Sequence, residues 1–338
     1  MPSASLLIAP GDPLPTVELP FAPPVITSAP APLRRPKLPA VGLLVVGALL
    51  IIAPIVGGLF VKTAAGKQMV DQFAPYMQTD SLARDAGDIA TLRAGAAAID
   101  DVYRTQGIPR GRYPGLDEFR AQSTAILARA SGLLGHVRAT RPDYRRVAAI
   151  GGFERIPFLI VGCGVISVYG GCVLLAGRRS RARPAIVLVV LASVALAAYP
   201  FVSGLFGGAE AGGRMLHSLA PVMTPHEVRQ LQDDFVVLVG ADGQLDTAFR
   251  AVPKTGGAAT GTTALIDGWP RISSDLASLV GVIDDNIGNF NALDDVDALT
   301  RQVGLPGFGS FPWLLVGIGA LDAGLALAAT PRRRKEAP

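Results

Sequence analysis

The chain reads as an all-α integral membrane protein: four transmembrane helices in two tandem repeats, each repeat with an extracytoplasmic helical domain. Three observations predict this. Four runs are long and apolar, the chain matches itself at a fixed offset, and no stretch alternates as a strand would. Half of the 338 residues are hydrophobic, a further 39 are glycine, and only 17% are charged, against about 25% in soluble domains. Mean hydropathy is +0.40. A single water-soluble domain, a disordered chain and a disulfide scaffold are thereby excluded. The net charge is only +4, and most basic clusters sit beside apolar runs, which argues against a nucleic-acid partner.

Residues 1–40 hold 11 prolines among the first 39. Proline denies a helix its amide donors, so this stretch is expected to be a disordered cytoplasmic tail. The basic cluster Arg34, Arg35, Lys37 and the apolar run begin too late for a cleavable signal peptide. The first span, 41–61, then acts as the targeting signal, with Pro54 as an expected kink. An extracytoplasmic domain follows at 62–156, and the second span occupies 157–177. A cytoplasmic basic loop, 178–184, carries Arg178, Arg179, Arg181 and Arg183. The third span is 185–206, the second extracytoplasmic domain 207–311, the fourth span 312–330 and a basic cytoplasmic tail 331–338. Each span approaches the about 20 residues a bilayer requires. Crossing in, out, in, out puts all three basic clusters on one side, with both termini in the cytoplasm and the spans in the plasma membrane.

Self-similarity is the most informative feature. Shifted by 146 residues, 54–104 aligns with 200–250 without a gap, and 15 of 51 positions are identical. Pro54/Pro200, Gly58/Gly204, Gly66/Gly212, Met69/Met215, Pro75/Pro221 and Met77/Met223 are among them. The offset grows to 155 by the second spans, where Pro157, Gly162 and Gly164 fall on Pro312, Gly317 and Gly319. The matches outside the spans show that the likeness is not merely two apolar runs. A tandem duplication follows, with a pseudo-two-fold axis along the membrane normal.

Both outer segments read as helical. Helices are expected at about 80–104 and 225–250, the second opened by the capping box Thr224-Pro225-His226-Glu227. A core-facing stripe runs through Trp269, Ile272, Leu276, Leu279, Val280, Ile283, Ile287 and Phe290, with Phe119, Ile126, Ala130, Leu133 and Val137 as its counterpart. Residues 254–263 (KTGGAATGTT) are expected to form a flexible loop. Residues 62–156 carry 14 basic and 10 acidic side chains, while 207–311 carry 6 and 13. The two modules are therefore expected to attract each other side by side.

No residue pattern points to catalysis, a cofactor or a metal. His136, His217 and His226 share no repeat position. The acidic pairs Asp100-Asp101, Asp233-Asp234, Asp284-Asp285 and Asp294-Asp295, with Asp297, lack the ligand spacing of a calcium loop. Gly162-x-Gly164 and Gly317-x-Gly319 lie within spans, where small residues let helices approach closely. Cys163 and Cys172 are nine residues apart in the second span, face opposite ways on a helix and cannot bridge. Asp322 is the candidate functional residue, because a carboxyl inside a span costs about 2.5–3.5 kcal/mol on insertion scales. Tyr169, Tyr199 and Ser203 are its expected hydrogen-bond partners, and a structural role is favoured.

Phe73-Ala74-Pro75-Tyr76-Met77, then Trp269-Pro270-x-Ile272 leading to Asn286, Asn289 and Phe290, then Phe311-Pro312-Trp313, follow one another along the chain. In these segments it resembles a family of uncharacterised actinobacterial multi-pass membrane proteins. The first copy departs from the pattern, with Pro157-Phe158 for Pro-Trp and no asparagine pair. The resemblance implies topology and source, and it supplies no catalytic residue. The expected role is non-enzymatic, with the outer modules binding a partner or an apolar ligand. Transport or lipid handling through the repeat interface and Asp322 is the alternative. Membrane lipid, a membrane-protein partner or a second copy of the chain are the expected partners.

Overall fold

Two glycines decide where two of the apolar helices end. In the computed structural model, which describes residues 38–177, 179–247, 249–302 and 304–330, helix α1 spans Leu38–Val56 and α2 spans Leu59–Phe73. Between them Gly58 sits at φ 64°, a left-handed conformation that glycine adopts without a Cβ clash. Helix α6 (Arg179–Val202) is likewise separated from α7 (Leu205–Leu219) by Gly204 at φ 73°. The spans expected at 41–61 and 185–206 therefore each overran a break. Pro54 lies inside α1, and the chain turns two residues after that helix ends. The start of α6 at Arg179 also takes up most of the stretch expected as a basic loop. The tail 1–37 and the clusters Arg34, Arg35, Lys37 and Arg332, Arg333, Arg334, Lys335 lie outside the described residues, as does Arg178.

The other helices are α3 (Thr79–Thr105), α4 (Pro114–Ala148), α5 (Ile156–Leu175), α8 (Pro225–Asp246), α9 (Gly256–Gln302) and α10 (Phe311–Ala328). Short 3-10 turns precede α5 and α10, and no strand occurs among the described residues. The Thr224 hydroxyl accepts the amide of Glu227 at 3.2 Å, so the expected cap of α8 forms. Of the loop expected at 254–263, only Lys254 and Thr255 stay outside a helix, and the rest is the start of α9. Its small residues let it lie against α3: a Cβ at Gly261 would fall 2.7 Å from that of Ala98. Buried Thr262 donates to the Ala258 carbonyl at 2.8 Å. Packing overrides low helix propensity there. At 47 residues, α9 is about 70 Å long at 1.5 Å per residue.

Helices α1, α5, α6 and α10 are long and apolar enough to cross a membrane. Among the described residues, nearly all exposed large apolar side chains lie on these four; Val61, Val236 and Val239 are the exceptions. Helix α1 packs along α5, α6 along α10, α5 against α6, and α1 more loosely against α10. A Cβ at Gly164 would lie 2.8 Å from the Gly47 carbonyl oxygen, and one at Gly319 would lie 2.6 Å from that of Ser193. Gly162 and Gly317 face open space, so only half of each Gly-x-Gly pattern serves packing. Gly164→Leu should cost about 3 kcal/mol, at the upper end for overpacking, because the obstacle is backbone. Thermal unfolding in detergent checks this, with Gly162→Leu as a control expected to stay near the parent melting temperature.

The remaining six helices interleave. Helix α3 packs on α9, α4 on α7 and α8, and α2 on α9, each more closely than or as closely as α3 packs on α4 or α8 on α9. One apolar core joins Ile99, Phe119, Leu245, Phe249 and Ile272. A second joins Met69, Met77, Met215, Met223, Tyr144, Ile283 and Phe290, so the expected stripe on α9 does face inward. The two outer segments do pack against each other, as expected, but net charge does not set the contact. Of the ion pairs between the segments, Arg129–Asp234 follows the net-charge difference, while Arg271–Asp88 and Arg214–Asp143 run against it. Shared apolar burial organises the contact, and Asp88 and Asp234, 146 residues apart, are each buried and tied to an arginine of the other half.

Candidate functional site

A cavity of about 260 Å³ lies where the interleaved helices meet the apolar bundle. Helix α2 contributes Gly66 and Met69, α7 contributes Gly212 and Met215, and the 3-10 turns contribute Phe153 and Phe308. The glycines make the space. A Cβ at Gly66 would sit 3.1 Å from the Phe153 ring, and one at Gly212 would sit 3.5 Å from the Phe308 ring. Leu293 of α9 and Val147 and Ile150 at the end of α4 close the walls. Polar groups are confined to Lys67, Asp71 and Glu154. Lys67 donates to Asp71 at 2.7 Å, which holds its ammonium above the usual lysine pKa. Two unbranched thioethers in an apolar wall give a surface that adapts to an irregular apolar guest. The site offers shape and apolar surface.

Sequence reasoning named the glycine and methionine pairs as repeat positions but did not place them at one cavity. The signal was present: they are identities outside the spans, on short helices between an apolar run and a proline.

Asp322 is fully buried in the bundle. Its Oδ2 accepts the hydroxyls of Ser167 on α5 at 2.6 Å and Ser193 on α6 at 2.8 Å, with the Cys163 thiol at 3.9 Å. The expected partners are elsewhere. The Tyr199 hydroxyl donates to the carbonyls of Gly151 and Gly152, Tyr169 is exposed, and the buried Ser203 hydroxyl has no partner. The carboxyl thus joins α10 to α5 and α6. Ser167 also reaches the Cys163 carbonyl at 3.0 Å, and Ser193 reaches that of Val189 at 2.7 Å. Two hydroxyls own two protons between them for four acceptor contacts, so each proton is shared between the carboxyl and a carbonyl. Oδ1 has no partner.

The three histidines are exposed and apart. Of the acidic pairs, Asp100 and Asp101 bind Arg120 and Arg104, and Asp234 binds Arg129. Asp284, Asp285, Asp294 and Asp295 are exposed. Asp297 accepts the Phe308 amide at 2.6 Å and pairs with Arg301, fixing the turn before α10. Cys163 is buried and Cys172 exposed. A cluster not foreseen brings together Asp85 and Asp88 of α3 and Asp275 of α9, with ligand oxygens within 4.8 Å of one another. Burial first, and then mutual repulsion, raises the pKa of Asp85; burial raises that of Asp88 against the pull of Arg271. Asp85 and Asp88 are one turn apart, but Asp275 joins them only through the α3–α9 pairing.

Burial, with the neighbouring Asp246, pushes the Asp242 carboxyl up to about 6 from 3.8. The folded state then takes up a proton before the unfolded one does. Stability should rise as pH falls from 7 through about 6, with the gain complete below the unfolded value. Partial exposure limits its size to the order of 1 kcal/mol. Asp242→Asn should remove that part of the slope and stabilise the protein at pH 7 and above, as read by thermal melts across pH.

Compared with known proteins, the chain matches no family model, and no curated protein is significantly similar to it. What the fold defines is a class: an all-helical chain with four helices long and apolar enough to cross a membrane.

Proposed function

We propose that this is a non-enzymatic, multi-pass plasma-membrane protein of the cell envelope, built by tandem duplication, that holds an apolar ligand in the cavity between its halves. The observation that carries this reading is the pairing of the cavity walls. Gly66 with Gly212 and Met69 with Met215 stand 146 residues apart, and Phe153 with Phe308 stands 155 apart, all lining one space. Residues related by the offset line one space, which is the arrangement expected of duplicated units. Ser167 and Asp322, also 155 apart, touch in the bundle. Exposed apolar side chains on four helices need a hydrocarbon solvent, and the resemblance noted above is to multi-pass proteins. Space walled by apolar and polarizable groups suits a hydrocarbon chain.

Filling the cavity tests the reading. Gly212→Phe should lower binding of a fluorescent fatty acid by the purified protein at least tenfold while its melting temperature holds. Unchanged binding would remove the cavity as the site. Topology is tested separately in a background lacking Cys163 and Cys172. Cysteines replacing Ala90 or Gly240 should react with an impermeant thiol reagent in intact cells, and those replacing Ser180 or Glu336 should not. Labelling at 180 sinks the orientation with both termini inside.

A further inference from the structure

The cavity is not the only apolar space, and its neighbours lead outward. Between α1 and α10 runs a groove of about 350 Å³, walled by side chains such as Leu49, Leu50, Leu314 and Ile318. Its far end reaches Leu59, Lys62, Val296 and Phe311. Those four residues also line a void of about 20 Å³, whose remaining walls include Phe153, Leu293 and Phe308. The last three belong to the cavity as well. Groove, void and cavity thus share walls in sequence.

We propose that the α1–α10 groove is a lateral passage by which an acyl chain of a membrane phospholipid reaches the cavity, with Lys62 holding the phosphate. The inference rests on the reading of the cavity as an apolar-ligand site, and names the ligand and its route. Three observations select this occupant. The groove lies on two helices apolar enough to cross a bilayer, so hydrocarbon is the medium it meets. Lys62, one turn into α2, is the single charged residue lining it, and among the described residues its ammonium makes no ion pair. The phosphate of a lipid whose chain lies in the groove is an anion that such an ammonium suits.

The equivalent seam, between α5 and α6, is built differently. Helices α5 and α6 pack more closely on each other than α1 and α10 do. The residue 146 positions after Lys62 is Gly208, covered by the Ile150 side chain at 2.3 Å from its Cβ position. The charge and the looser packing thus occur together on the α1–α10 side.

The test uses the full chain in nanodiscs containing a phosphatidylglycerol with a photoreactive diazirine near the end of one acyl chain. After irradiation, adducts are mapped by mass spectrometry. Adducts are expected on groove residues and on Met69 or Met215. Leu293→Trp, and separately Val296→Trp, should fill the connecting void, keep the groove adducts and reduce the cavity adducts at least tenfold. Two variants on different sides of the void guard against one that fails to fold, and a monodisperse elution profile checks each. Lys62→Gln should lower labelling by phosphatidylglycerol several-fold, and labelling by an uncharged diacylglycerol carrying the same chain much less. Cavity adducts that persist at parent level in both folded tryptophan variants would overturn the passage. Groove adducts without cavity adducts in the parent would overturn it too. A soluble photoreactive fatty acid then separates the two ideas: labelling of Met69 or Met215 by that probe leaves the cavity reading standing, and no labelling removes both.

Discussion

Asp322→Lys should prevent accumulation of folded protein in the membrane, while Asp322→Asn should be tolerated. The carboxyl is fully buried at a junction of α5, α6 and α10. A lysine there places a longer side chain in a filled space, costing about 1–3 kcal/mol or more, and a cation in a span, about 2.5–3.5 kcal/mol on insertion scales. Asparagine keeps the shape, still accepts from Ser167 or Ser193 and adds a donor. Asp322→Leu should fall between, because each serine retains a carbonyl of its own helix as acceptor. Membrane-fraction yield and thermal stability in detergent read all three. A folded, correctly inserted Asn variant that behaves in cells like a deletion would contradict the structural role. It would instead favour transport, with the unpartnered Oδ1 as the proton- or cation-binding atom.

Arg129→Ala should lower stability by roughly 2–3 kcal/mol, somewhat under the 3–5 kcal/mol seen when a fully buried pair loses one partner. Arg129 Nε donates to Asp234 Oδ2 at 2.7 Å, and its Nη2 donates to Oδ1. Asp234 is 6% exposed, so without the guanidinium its charge is buried alone. The Arg129 side chain is 34% exposed, which lets some water compensate and sets the discount. Replacing both partners by a leucine and an alanine should recover much of the loss. Added salt should matter little, since the contact between segments is mainly apolar, and a strongly salt-dependent melting temperature would contradict that view.

The helices were legible because their signals are local. Apolar runs, the cap at Thr224 and the three-and-four spacing on α9 each lie within one segment. What was not legible is instructive in the same terms. The glycine turns at 58 and 204 sit inside apolar runs, where hydropathy does not see φ. The Gly256–Thr263 stretch has loop composition and becomes helix only because α3 offers a surface for its small residues. Charge totals suggested two modules drawn together, but totals carry no information on which helix passes between which. Asp322 was found by burial cost alone. Its partners were missed because Ser193 sits on another helix whose rotation no single span reveals. The glycine and methionine pairs of the cavity were in view as repeat identities, but that α2 and α7 line one space is a matter of tertiary packing.

The central claim is that the halves enclose a hydrocarbon chain, and what occupies the cavity in native membranes tests it most directly. A photoreactive amino acid replaces Met215, and in a control Val236, which is 69% exposed on α8. After irradiation of intact membranes, the intact mass of the purified protein is measured. The account predicts a lipid-sized adduct at 215 and none at 236. Equal adducts at both positions, or none at 215, would contradict it.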